Sequence, residues 1–210
     1  MDRSSYKVLS HNQLEVDRAT WQYSVNFFLF FAGQWSLMSL RIEDRLFTLH
    51  ETASSLSVQA VPSAPNGTSK ILSDVLTHPV EDLPGAIWAA AEILIPNPTQ
   101  RFPTPYIYVS NRNTGTELDP RGDSVAIFEL LNKGTKNEKL QLVKQIFTGL
   151  EQIRGMEFGP AEKGLEEFLI AAGVAGSGGV VMLRRIESGR NMEIVTRNLD
   201  ILNRSTFVWL

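Results

Sequence analysis

The chain has 210 residues, 43% of them hydrophobic, which is enough to bury a core in one domain and excludes a disordered polypeptide. It has no cysteine, so disulfide frameworks and thiolate metal sites are excluded as well. With 20 basic and 23 acidic side chains the net charge is −3, which leaves no general basic field for nucleic acid, so any such contact must be local.

Met1 to Ser10 is too polar for a signal peptide. The apolar run from Phe27 to Phe31 is cut by Gly33, Gln34 and Ser36 well short of a membrane span, so no membrane partner is expected. Asn12 is a fair N-cap with Glu15 three residues on, and the apolar residues from Leu14 to Phe31 predict a mostly buried helix. Leu37, Met38, Ile42, Leu46 and Leu49 fall at helical spacing and predict a second helix over 35–49. Residues 56–70 read as a surface loop, punctuated by Pro62, Pro65 and Asn66-Gly67. A short helix is expected from Ile71 to Leu76, and a firmer one from near Asp82 through the alanine-rich 87–94.

The stretch from Trp88 to Ser110 organises the rest. Its helix is stopped by Pro96 and Pro98, turns through Arg101, Phe102 and Pro103, and leaves as an edge strand from Tyr106 to Val109. Each proline fixes its own φ and biases the preceding residue towards extended geometry, so this is a rigid corner in which Arg101, Phe102 and Pro103 are structural. A loop over 111–123 follows, then a helix from Ser124 to Asn132 closed by Gly134. Thr135 caps a helix over 137–153 with the apolar stripe Leu140, Val143, Ile146, Phe147 and Leu150. Pro160 opens another with Leu165, Phe168 and Leu169 inward, Val180 to Ile186 is apolar and then basic, and a last segment runs from Met192 to Leu202. Six or more helices against one or two strands predict an all-α fold. The expected form is a four-helix-type bundle with a small peripheral β-sheet and extra helices, in one domain over 1–210.

Chemistry is scarce. His11, His50 and His78 stand in no ligand pattern, the glycines from Gly173 to Gly179 are followed by no Lys-Ser/Thr, and no serine lies in Gly-x-Ser-x-Gly. Arg121-Gly122-Asp123 matches an adhesion tripeptide by spacing alone, and adjacent Glu166 and Glu167 point about 100° apart on a helix, so they do not share one substrate atom. The expectation is no catalytic residue, no metal, no cofactor and no enzyme. Trp21, Trp35, Trp88, Trp209 and eleven phenylalanines form a heavy aromatic load, which predicts self-association through apolar faces near Trp21, Trp35 or Trp88.

Glu92 to Pro98 followed by Arg101-Phe102-Pro103, then Leu118-Asp119-Pro120, and at the other end 196–200 with Trp209, resemble the coat proteins of rod-shaped plant RNA viruses. These are the tobacco mosaic virus type, with the peanut clump virus group suggested by size. Residues 10–18 are similar to the N-terminus of the benyvirus coat protein. The resemblance implies a capsid protein that polymerises helically and encapsidates single-stranded RNA, located in the virion and the host cell cytoplasm. RNA would lie opposite the proline corner, held by sequence-tolerant phosphate contacts from Arg121, Lys133, Lys136, Lys139, Arg154 and Lys163. Glu166 and Glu167 would be the carboxylate switch of assembly. The alternatives are a non-structural viral RNA-binding protein such as a silencing suppressor, and an all-α enzyme with an unrecognised site.

Overall fold

In the computed structural model, which describes residues 23–25, 30–31, 34–61, 70–81, 83–201 and 207–209, the chain is built from antiparallel β-strands. The expected bundle is overturned: the described residues hold fourteen strands and two single-turn 3-10 segments, and no α-helix. The first sheet contains β1 (Tyr23–Val25), β2 (Phe30–Phe31), β3 (Gln34–Ile42), β4 (Arg45–His50), β5 (Ser55–Ala60) and β6 (Ile71–Leu76). The second is β7 (Trp88–Leu94), β8 (Ile107–Asn113), β9 (Ser124–Leu131) and β10 (Lys139–Phe147). The third is β11 (Glu151–Phe158), β12 (Phe168–Ala175), β13 (Val180–Ile186) and β14 (Asn191–Asn198). The second and third sheets are four-stranded meanders, and β3 to β6 repeat the pattern in the first.

Alternation of side chains along the strands stacks the sheets. Ile107 and Val109 of β8, with Ala126 and Phe128 of β9, face Phe47, Leu49, Leu56 and Val58 of the first sheet. Their neighbours Tyr106, Tyr108, Val125 and Ile127 turn the other way, onto Ile153, Leu169, Ala171, Val181 and Leu183 of the third. The second sheet is therefore buried on both faces, and each large side chain enclosed in this way contributes roughly 1.5–3 kcal/mol. The first strands β3, β7 and β11 lie side by side, and so do the last strands, β6 beside β10 and β10 beside β14. Each first strand carries a bulge against its second: between Ser36 and Met38, between Ala90 and Ile93, and between Ile153 and Gly155.

The misread segments have identifiable causes. Ser124–Leu131 is apolar without alternation because β9 is buried on both faces, as the run of buried residues through Phe128 shows. The stripe Leu140, Val143, Ile146, Phe147, Leu150 mimics helical spacing because β10 has a bulge between Leu142 and Lys144 and serves two cores, Leu140 and Leu142 packing on one and Val143 and Ile146 on the other. Ala90 and Ala91 are small because β7 is flanked closely by β3 and β11, and their helix propensity is overridden. The helix expected over 35–49 is a hairpin, β3 and β4 reversing at Glu43-Asp44 with Glu43 at φ 51°. Ile71–Leu76 and Asn191–Asn198 are strands too, and the helix expected after Pro160 is a 3-10 turn, Ala161–Lys163, followed by β12. The expected loop at 56–70 is strand as far as Ala60.

The proline-rich segment connects two strands where a helix-to-edge-strand corner was expected. Residues 95–106 join β7 to β8, and β8 is an inner member of its sheet with all seven residues buried, not an edge. Trp88 is 7% exposed, so it offers no lateral face for self-association; Trp21 lies outside the described residues.

Candidate functional site

β8 ends in Ser110-Asn111-Arg112-Asn113, four polar residues that stay at 2% exposure or less. A strand that turns polar without reaching solvent must find internal partners, and here they come from all three sheets. Asn111 donates from Nδ2 to the Thr77 carbonyl (2.7 Å) and accepts at Oδ1 from the Thr77 hydroxyl (2.6 Å), which fixes the exit from β6. The Arg112 guanidinium forms a charged hydrogen bond to the Glu51 carboxylate in the β4–β5 turn. That turn is tied to β7, since the Ser54 hydroxyl donates to the Trp88 carbonyl (2.6 Å) and Ala90 N donates to the Glu51 carbonyl (3.2 Å).

Asp123 binds the third sheet into the same end. Its Oδ1 accepts from Asn113 N (2.9 Å) and its Oδ2 from Ile153 N (2.8 Å), while its carbonyl accepts from Thr148 N and the Thr148 hydroxyl. Gln152 donates from Nε2 to the Asn113 carbonyl (2.6 Å). Burial pushes Asp123 up to about 6, against the lowering effect of those N–H donors and of Arg112. One donor of the cluster is not used: Arg112 Nε is buried without a partner beside a Glu51 side chain that is 24% exposed.

Three blade-like meanders that put their first strands together and their loops at two ends have counterparts among solved structures. A protein from Lactobacillus plantarum superposes with a TM-score of 0.59 at 19% identity, over 78% of this chain and 40% of that one. A candidate 6-phosphogluconolactonase from Bacteroides fragilis gives 0.54 at 16%, over 78% and 38%. The three sheets have the fold of the propeller blades in these structures. The periplasmic gluconolactonase of Pseudomonas aeruginosa matches the blades with a TM-score of 0.54 at 16% identity, over 73% of this chain and 36% of that one. The chain thus spans about 40% of the length of these propellers. No family model matches the sequence, and no curated protein does.

The blades correct the coat-protein resemblance and the capsid function drawn from it, because that resemblance implies packed helices where the chain has stacked sheets. The motifs that carried it lie elsewhere in the fold: 92–103 ends one blade strand and enters a loop, and 196–200 closes β14. The virion location, the helical polymer and the RNA partner rested on that resemblance.

The six basic residues assigned to RNA do not converge. Arg121 is in the loop beside the buried polar cluster, bonded to Asp119 (2.7 Å) with its guanidinium 3.8 Å from the centre of the Phe147 ring. Arg154 is exposed in the β11 bulge. Lys133, Lys136 and Lys139 sit at the β9–β10 hairpin, at the opposite end of the blades, where Lys133 pairs with Glu43 and Asp44. Lys163 is in the β11–β12 connection. Glu166 and Glu167 are in that connection too, with Glu167 bonded to Arg101 (2.8 Å) and Glu166 Oε2 buried without a partner. Of the tripeptide Arg121-Gly122-Asp123, Asp123 is buried and Gly122 is at φ 81° against Gly149. His50 bonds to the Ser57 hydroxyl (3.0 Å) on a buried sheet face, and His78 to the Pro79 carbonyl.

Among the described residues no group of His, Asp and Glu could hold a metal ion, and no helix is long and apolar enough to cross a membrane. Sequence reasoning missed Arg112, Asp123 and Glu51. The available signal was the order apolar strand, then Ser-Asn-Arg-Asn, then a loop returning through Asp119 to Asp123, which a loop assignment over 111–123 obscured.

Proposed function

We propose that the polar end of the blades recognises a small anionic carbohydrate derivative, a sugar acid or its lactone, with Arg112 as the anion-binding group. The observation that carries this reading is a buried arginine, 2% exposed, with one N–H donor, Nε, unpaired. An acceptor oxygen placed there completes the set of bonds, and desolvation makes each charge-assisted bond stronger than at the surface. Glu51 holds the fork from one side and its exposed edge gives the approach. The lactonase names of two structural neighbours make sugar acids and their lactones the first chemical class to test.

The test is thermal unfolding of the full chain with gluconate, 6-phosphogluconate or glucono-δ-lactone, alongside lactone opening followed by proton release. A ligand at a hundred times its Kd stabilises the folded state by about 2.7 kcal/mol. Arg112→Lys, which keeps the charge but loses the planar fork, should abolish that shift. No stabilisation at millimolar ligand, or an equal shift in the lysine variant, overturns the proposal.

A further inference from the structure

β11 is the edge strand of its blade, so the N–H groups on its free side have no ladder partner. Two of them are met by carboxylates of the second blade. Met156 N donates to Glu92 Oε2 (2.6 Å) and Ile153 N to Asp123 Oδ2 (2.8 Å). Glu92 reaches across because it lies in the bulge of β7, where its own N–H leaves the ladder and bonds to the Ser110 hydroxyl (3.1 Å). The seam between the two innermost strands is therefore closed by acidic side chains where a propeller blade would otherwise offer only packing.

We propose that this seam is a pH-responsive clasp, closed while Glu92 is protonated and loosened as Glu92 ionises. The groups around it favour that sense. From β11, the adjacent Glu157 adds a like charge, and the Arg154 side chain is exposed in its own bulge. From β8 the nearest polar group is the neutral Ser110 hydroxyl. From β3 the single charged residue is Arg41, in the register next to the β3–β4 turn. Around Asp123 the charged group is Arg112, which is committed to Glu51. A protonated Glu92 still accepts the Met156 bond through its carbonyl oxygen, so protonation keeps the bond and removes the buried charge. Burial accordingly holds Glu92 at about 7, above its ordinary 4.5.

The readout is amide hydrogen exchange at Met156 and Ile153 in the full chain between pH 5.5 and 8.5, corrected for intrinsic rates. Protection of Met156 should fall by about 30-fold across that range in the parent, from the linkage of ionisation to opening. In Glu92→Gln, whose amide oxygen accepts the same bond without ever ionising, only the few-fold fall that Asp123 contributes should remain. Flat protection in the parent overturns the proposal without needing any variant. A fall of undiminished size in Glu92→Gln overturns it as well. Neither result touches the ligand reading, which is measured through Arg112.

Discussion

Phe102 anchors the connection from β7 to β8, and its replacement separates two effects that are usually measured together. The ring is 2% exposed, its loop is closed by Phe102 N donating to the Thr99 hydroxyl (3.1 Å) and Thr99 N to the Phe102 carbonyl (3.0 Å), and Arg185 Cζ lies 3.8 Å from its centre. Arg185 is itself 2% exposed. Its Nε donates to the Tyr108 hydroxyl (3.0 Å) and its Nη1 to the Glu166 carbonyl (3.2 Å), and burial holds its pKa below the usual arginine value. Phe102→Ala removes a buried ring, worth roughly 3–5 kcal/mol, and strips a desolvated cation of its π partner, worth about 2 more. Phe102→Leu keeps most of the volume, so it should cost only about 1–3 kcal/mol, most of it the lost cation–π contact. Urea unfolding of both variants, and a double-mutant cycle of Phe102→Leu with Arg185→Met, gives the coupling directly. A coupling of about 1–2 kcal/mol is expected. A value within about 0.3 kcal/mol of zero would refute the claim that the ring stabilises the cation.

At the other end of the second blade, Arg45 and Glu138 form a two-bond pair (2.5 and 2.7 Å) with side chains 8% and 4% exposed. Glu138→Ala should cost roughly 3–5 kcal/mol in chemical denaturation, while Arg45→Met with Glu138→Leu should recover most of it. Gly122→Ala should lower the Tm well beyond Gly134→Ala: both sit near φ 80°, but only Gly122 is pressed against another backbone, that of Gly149. Urea midpoints of the parent should be lower at pH 8.5 than at pH 5.5. The folded values of Glu92 (about 7) and Asp123 (about 6) exceed the ordinary 4.5 and 3.8, so their contribution is complete below those ordinary values and lost as pH rises through 6 and 7. At about 1.4 kcal/mol per unit, the combined loss is a few kcal/mol. Equal midpoints would contradict it.

The strand that sequence reading located, Tyr106 to Val109, had a proline boundary, although it is an inner strand and not an edge. The others concealed their period. In β9 both faces are buried, and in β10 and β7 a bulge breaks the count of two, which leaves apolar spacings of three and four that a helix also produces. Helix propensity then decided wrongly at Ala90 and Ala91, whose size answers to close neighbours across the seam. The candidate site was hidden for a different reason. Glu51 is far from Arg112 in sequence and becomes its neighbour only when the first two blades stack, while Asp123 meets Arg112 across the β8–β9 connection, which reads as an ordinary polar loop. The prolines around Phe102 marked a break between elements in the sequence, but not that both elements are strands.

The two-sided burial of β8 also sets how substitutions there combine. Ile107 and Val109 share one core, while Tyr106 and Tyr108 share another, so consecutive residues belong to separate packing problems and alternate ones to the same problem. Changes at 107 and 108 should therefore act almost independently on stability, whereas changes at 107 and 109 should compensate or aggravate one another. Compensating pairs in this strand are written two letters apart, and a search for covariation along it that weights nearest neighbours would look in the wrong place.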